Sequence, residues 1–242
     1  MTDILAEKLI AWRRELHQYP ELSNNEYRTT KKITEWLRGA GIDILPLPLK
    51  TGVAAQIGHH AGPTIALRAD IDALPIDEQT TQPFISRHKG VMHACGHDVH
   101  TSIMLGAALL LKARESQLAG NVHILFQPAE ETFNGANQLI DAGALQGVSA
   151  IFGGHNAPGL PVGEFATRSG PMHANVDRFE ILVRGKGAHA AASARWTRYW
   201  SASRGSAAAT PGTYCLNGWS WKAPCEPTTW KSERPSRKSS PR

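Results

Sequence analysis

Cysteine is scarce in this chain: Cys95, Cys215 and Cys225 are the only three in 242 residues. They are too few and too scattered for a disulfide framework. No run of about 18 apolar residues occurs, so no membrane-spanning helix is expected. The first 14 residues mix acids with bases and lack an apolar core of signal-peptide length, which points to a cytoplasmic protein. Aromatic residues make up 7% and charged residues 19%, against 41% hydrophobic. That composition is globular and excludes a largely disordered chain. The length suits one large domain, or one domain with part of a second.

The formal net charge is +5 and the sequence pI about 9.2. Such a balance would ordinarily raise nucleic acid or an anionic membrane as a partner. Mapping the charge removes that inference. Residues 192–242 hold nine bases and only two acids, so the rest of the chain is mildly acidic. The tail also holds five of the seven Trp, nine Ser and five Pro, but Leu216 alone among Leu, Ile, Val and Met. It shows no helical or strand period, and its composition favours coil. Two readings stay open: a natural basic tail, or the product of a reading frame shifted near residue 191 or 192.

The body alternates helical and strand signals. Residues 1–19 read as an amphipathic helix with Ile4, Leu5, Leu9, Trp12 and Leu16 on one stripe, ended by Pro20. A second helix is expected over 25–40, with Tyr27, Ile33, Trp36 and Leu37 inward and Gly41 capping it. Strands are expected over 42–45, 53–57, 64–68, 122–126 and 150–152, the last two buried, and another over 178–183. Helices are expected over 101–113 and 135–142. The interleaving predicts an α/β fold with a mostly parallel central sheet and flanking helices.

Four clusters carry chemistry. The densest is Met92-His93-Ala94-Cys95-Gly96-His97-Asp98-Val99-His100. Cys95 and His97 are two apart, so an extended backbone would point both to one side, and Gly96 lets the chain approach a metal closely. Thiolate and imidazole suit zinc, and imidazole also suits manganese, cobalt or nickel. The alternative is a buried Cys with Asp98 capping a helix. The second cluster, Gln127-Pro128-Ala129-Glu130-Glu131, follows an apolar strand. Its adjacent carboxylates would repel unless a cation lay beside them, with one ligating and the other serving as a general base. A solvated loop is the alternative. Asp70 and Asp72, just past another strand, could ligate a metal, orient a ligating His, or simply start a turn. His155 lies in Gly153-Gly154-His155-Asn156-Ala157-Pro158, after a further strand. Four such loops after four strands are more telling than any one motif, because ligands collect there in open α/β sheets. Gly185-Lys186-Gly187-Ala188-His189 is a weaker signal, a tight turn that could place His189 near a ligand.

These stretches, together with residues 14–22 and 67–75, resemble the peptidase family of aminoacylases, hippurate hydrolases, N-acetyl-diaminopimelate deacetylases and indole-acetyl-amino-acid hydrolases. The resemblance covers about residues 5–191. It implies a zinc-exopeptidase-like catalytic domain, here incomplete, over 1–172. The start of a smaller α+β lid or dimerisation domain would occupy 173–191, and residues 192–242 form the tail. Cys95, His97, Glu131 and His155 would be metal ligands, and Asp72 would steady the metal site. Glu130 would take a proton from water and hand it to the leaving amine. His189 would polarise the substrate carbonyl, often across a dimer. Two divalent ions are implied, manganese or zinc, with cobalt or nickel also compatible.

The implied reaction is hydrolysis of the amide bond of N-acyl amino acids, with no nucleic acid or membrane partner. Relatives are often homodimers. Residues from 192 onward do not match the family's lid or its final metal-ligating His, which makes a truncated, inactive fragment the competing expectation. A nucleic-acid-binding role for the Trp- and Arg-bearing tail is the remote one.

Overall fold

The structure, a computed structural model, describes residues 3–172. The first of two compact units ends at Thr167, and the fold described here is that unit's. The expected lid segment, including the strand over 178–183 and His189, lies outside the described residues, as does the tail.

Helix α1 (Asp3–Gln18) begins with an acid at the positive end of its dipole and carries His17 in its last turn. Its Trp12 and Leu16 are buried, whereas Ile4, expected on the same stripe, is exposed. Helix α2 (Tyr27–Gly39) buries Ile33 and Leu37, and its Trp36 stacks on Trp12 with ring centroids 4.6 Å apart. Tyr27, expected inward, is exposed at the helix start. The chain leaves α2 through Ala40 and then Gly41, whose φ of +70° is a conformation glycine takes without strain.

Strands β1 (Asp43–Ile44), β2 (Val53–Ile57), β3 (Thr64–Asp70), β4 (Asn121–Gln127) and β5 (Val148–Gly153) form one sheet in the order β1-β2-β4-β3-β5. β3 pairs in parallel with both β4 and β5, while β2 pairs antiparallel with β4 and with β1. The α/β expectation therefore holds with a mixed sheet: a parallel part, β4-β3-β5, and an antiparallel flank. The flank arises because the chain turns back through β2 before the first crossover helix.

Side chains alternate across this sheet with a period of two. Val122, Ile124 and Phe126 of β4, with Val53, Ala55 and Ile57 of β2, join one core. That core also takes Trp12 of α1, Ile33 and Leu37 of α2, and Met104, Leu105 and Ala108 of helix α3 (His97–Lys112). Leu125 and Ala54 face the other way, where Leu139 of helix α4 (Gly135–Asp141) covers them.

β4 is buried along most of its length, as expected. β5 is not. From Ser149 to Gly153 it is exposed, with Ile151 and Phe152 about half accessible. Among the described residues it sits at the sheet edge and pairs only with β3. Its apolar letters read like those of a buried strand because composition does not register what covers a face.

Candidate metal centre

The parallel strands β4, β3 and β5 all end on the same edge of the sheet, and β4 and β5 lie on opposite sides of β3. A crevice at such a switch in strand order is where open α/β sheets bind ligands. Asp70 closes β3, Gln127 closes β4, and His155 follows β5 by two residues. The fourth contribution, residues 93–100, follows no strand. It forms the turn into α3, which begins at His97, four residues earlier than the sequence pattern suggests. Gly96 precedes the helix with φ +88°, a left-handed conformation in which most side chains are strained. This turn, rather than an extended backbone, brings Cys95 and His97 together.

Ligand atoms of Cys95, His97 and His155 lie within 4.8 Å of one another, and so do those of His97, Glu130 and Glu131. Every metal ligand expected from the sequence is therefore at one place, with Glu130 beside them. Cys95 Sγ is 3.5 Å from His155 Nε2. Two ligands bound tetrahedrally to one ion, with bonds of about 2.3 Å for sulfur and 2.0 Å for nitrogen, would stand about 3.5 Å apart. His97 Nε2 lies 3.7 Å from Glu131 Oε1 and 3.9 Å from Glu130 Oε2, too long for hydrogen bonds.

Among the described residues, His97 Nδ1 and Asp72 Oδ1 lack a hydrogen-bond partner, and so do buried His97 Nε2 and Glu131 Oε1. Buried polar atoms left unpaired are costly, and here the latter two face each other across a gap that a cation fits. The residues present thus suit a divalent metal. Thiolate and imidazole are zinc-type donors, and carboxylate suits harder divalent ions.

Electrostatics agree. His97 is almost wholly buried among four carboxylates, those of Asp70, Asp72, Glu130 and Glu131. Burial disfavours its charge, but Asp72, Asp70 and Glu131 outweigh that and raise its pKa. Burial, reinforced by Glu131, Glu130 and Asp70, pushes the Cys95 thiol up to about 12. Burial also raises Glu131. So much negative charge around one imidazole calls for a cation.

The supports of these residues come from further along the chain. Asp72 Oδ1 is 3.3 Å from His97 Nδ1, and its Oδ2 accepts from the Ser23 hydroxyl at 2.7 Å and from the Glu131 N–H at 3.0 Å. Asp72 thus lies beside His97 while its hydrogen bonds join the loop after β4 to the chain before α2. Buried Glu26 accepts from the Ala129 N–H at 2.8 Å, holding the same loop where Ala129 takes φ +50°. Arg68 donates to Asp70 at 2.8 Å and to Gln127 at 2.9 Å, joining the ends of β3 and β4. Asp98 lies on the side away from the ligands, buried against His17 at 2.7 Å and Arg13 at 2.9 Å. His17 also reaches Glu78 at 3.1 Å. Sequence reasoning missed this Arg13–His17–Glu78–Asp98 group, although Arg13 and His17 stand one turn apart on α1.

The sequence profile described as "Peptidase family M20/M25/M40" matches residues 66–239. The chain belongs to this peptidase family. The match extends past residue 191, into the segment whose composition departs most from the body.

An N-acetylcysteine deacetylase of Bacillus subtilis is 57% identical over 185 residues, which are 76% of this chain and 49% of that protein. An N-acyl-L-amino acid amidohydrolase of Geobacillus stearothermophilus is 44% identical, over 79% of this chain and 52% of that one. A crystal structure from Bacillus subtilis, described as a dinuclear metal-binding peptidase of the M20 family, superposes with a TM-score of 0.65 and 56% identity. That superposition covers 66% of this chain and 46% of the other. The chain spans about half the length of the curated relatives it matches. Within this family the described residues supply a sheet-edge site of the kind that binds divalent metal. Among those residues, no helix is long and apolar enough to cross a membrane.

Proposed function

We propose that the chain carries part of the metal centre of a hydrolase that cleaves the amide bond of N-acyl amino acids. The observation that carries this reading is the buried, unpaired His97 Nε2 facing Glu131, with Cys95 and His155 alongside it. The deacetylase and amidohydrolase relatives supply the substrate class. Cys95, His97, Glu131 and His155 would hold the metal, with two divalent ions, manganese or zinc, as the full complement. A divalent ion there supplies a Lewis acid for the amide carbonyl and acidifies bound water.

Glu130 is the more exposed of the two acids and makes no ion pair with an Arg or Lys among the described residues. It is free to take a proton from water and return it to the leaving nitrogen. Asp72 holds His97 in the orientation that presents Nε2. His189, outside the described residues, would polarise the carbonyl from the lid, and a homodimer would form through the same element. The free thiol of Cys95 suits a reducing, cytoplasmic setting.

A second reading, a fragment that keeps the site but not turnover, is favoured by the exposed β5 and by the half-length match. Assay of the purified chain with manganese against several N-acyl amino acids separates the two. The hydrolase reading expects amine release, and Glu130→Gln lowers kcat by at least about 100-fold with metal content unchanged. Metal-loaded chain that releases no amine establishes the fragment reading instead.

A further inference from the structure

We propose that His100 and Asn156 form a positioning unit that fixes the metal-binding tautomer of His155 and the turn carrying Cys95 and His97; this rests on the metal-centre reading above. By residue type and place, His100 looks like another ligand, and its ring does lie close to Asp70 and His97. Both of its nitrogens are already engaged. Nδ1 meets Asp70 Oδ1 at 2.6 Å, and Arg68 holds the other oxygen of that carboxylate at 2.8 Å. A carboxylate in that position only accepts, so Nδ1 carries the proton. Nε2 meets Asn156 twice, at the backbone N–H 3.0 Å away and at the side-chain Oδ1, so that nitrogen is occupied as well. No lone pair is left for a metal.

Asn156 passes this order on in two directions. Its side-chain amide meets the His100 ring and lies against Gly96. A Cβ at Gly96 would come within 2.7 Å of Asn156 Nδ2 and 2.8 Å of Oδ1. The amide therefore occupies the space above the one residue between Cys95 and His97. In the other direction, the Asn156 carbonyl accepts from His155 Nδ1 at 2.8 Å. That bond puts the proton of His155 on Nδ1 and leaves Nε2 bare, and it is Nε2 that faces Cys95 Sγ at 3.5 Å. A histidine binds metal through such an unprotonated nitrogen, and partners that fix its tautomer typically contribute 10–100-fold in affinity. The chain Arg68–Asp70–His100–Asn156–His155 thus runs from the end of β3, through α3, to the ligand after β5.

The test uses the full chain and two readouts. Long-range proton–nitrogen spectra of the metal-free protein report the tautomer of His155. Titration with cobalt(II) reports affinity through the thiolate-to-cobalt absorption band. Wild type is expected to hold His155 as a single Nδ1–H tautomer. His100→Ala and Asn156→Ala are each expected to mix the tautomers and weaken cobalt binding about 10–100-fold. The double variant should be no weaker than the weaker single one, because the two residues act through each other. Circular dichroism checks folding, and Asp70→Asn, which keeps the side chain's shape, replaces any variant that does not fold.

A His100→Ala protein with unchanged tautomer and affinity overturns the proposal. So do additive losses in the double variant, or the disappearance of one bound cobalt at saturation, which would make His100 a ligand. Cys95→Ser isolates the underlying reading by removing the absorption band while leaving the tautomer of His155 alone. A wild type that takes up no cobalt, yet loses its tautomer in His100→Ala, sinks the metal centre and leaves the positioning unit standing.

Discussion

At the scale of single residues, the site is an imidazole surrounded by acids, and its supports are buried ion pairs whose charges titrate. His17 gains its partner Asp98 on folding, so its pKa is raised above the unfolded value of about 6.5. Its contribution to stability is complete below that value and fades as pH rises through the folded pKa. His93 behaves oppositely. Burial pushes it down to about 4, so the unfolded chain binds the extra proton between about 6.5 and 4, and stability falls as pH drops through that window. Urea midpoints measured against pH should therefore peak between these limbs. His17→Gln should flatten the alkaline limb and leave the acid limb in place; an unchanged alkaline limb would remove His17 from the account. The chemistry-bearing motifs were legible in the sequence because each is contiguous and sits beside a strand or helix end. The Asp98–His17 pair spans 81 residues and the His100–Asn156 pair 56. Neither distance leaves a mark in local spacing, so the partners that occupy the nitrogens of His100 were not legible there.

Among the elements, the loop after β4 is tightly constrained. It returns on itself, with the Gly135 N–H donating to the Ala129 carbonyl at 3.2 Å. A Cβ at Gly135 would stand 1.6 Å from the Pro128 carbonyl oxygen. Gly135→Ala is expected to cost about 3 kcal/mol or more, because backbone rather than a flexible side chain must move. The same change would displace Glu130 and Glu131, so metal uptake should fall with stability. Gly147 is the control: its φ is +72° but nothing lies within 4 Å of its added Cβ. Gly147→Ala should cost only the left-handed backbone term, about 1–2 kcal/mol. Equal urea midpoints for the two variants would contradict this ordering. Element boundaries show where sequence pattern ends and geometry takes over. Strand β2 appears at its expected bounds because its flanking glycines, Gly52 and Gly58, are local signals. Helix α3 starts early because Gly96 makes the turn by conformation, without the Ser, Thr or Asn cap that marks a start in sequence.

For the whole molecule, two cores on opposite faces of one mixed sheet hold the parallel strand ends in register, and the site follows from that register. Among the described residues nothing pairs with the outer edge of β5, and such an edge is prone to pairing with other chains. Ile151→Lys, at a half-exposed position, should reduce concentration-dependent association in sedimentation runs while changing stability by no more than about 0.5 kcal/mol. Association that persists unchanged would place the sticky surface elsewhere. The central claim is that Cys95, His97, Glu131 and His155 are gathered to hold divalent metal, and elemental analysis after dialysis against manganese or zinc tests it most directly. Wild-type chain is expected to retain metal and His97→Ala, folded by circular dichroism, to lose it. Wild type that retains no more metal than His97→Ala contradicts the account.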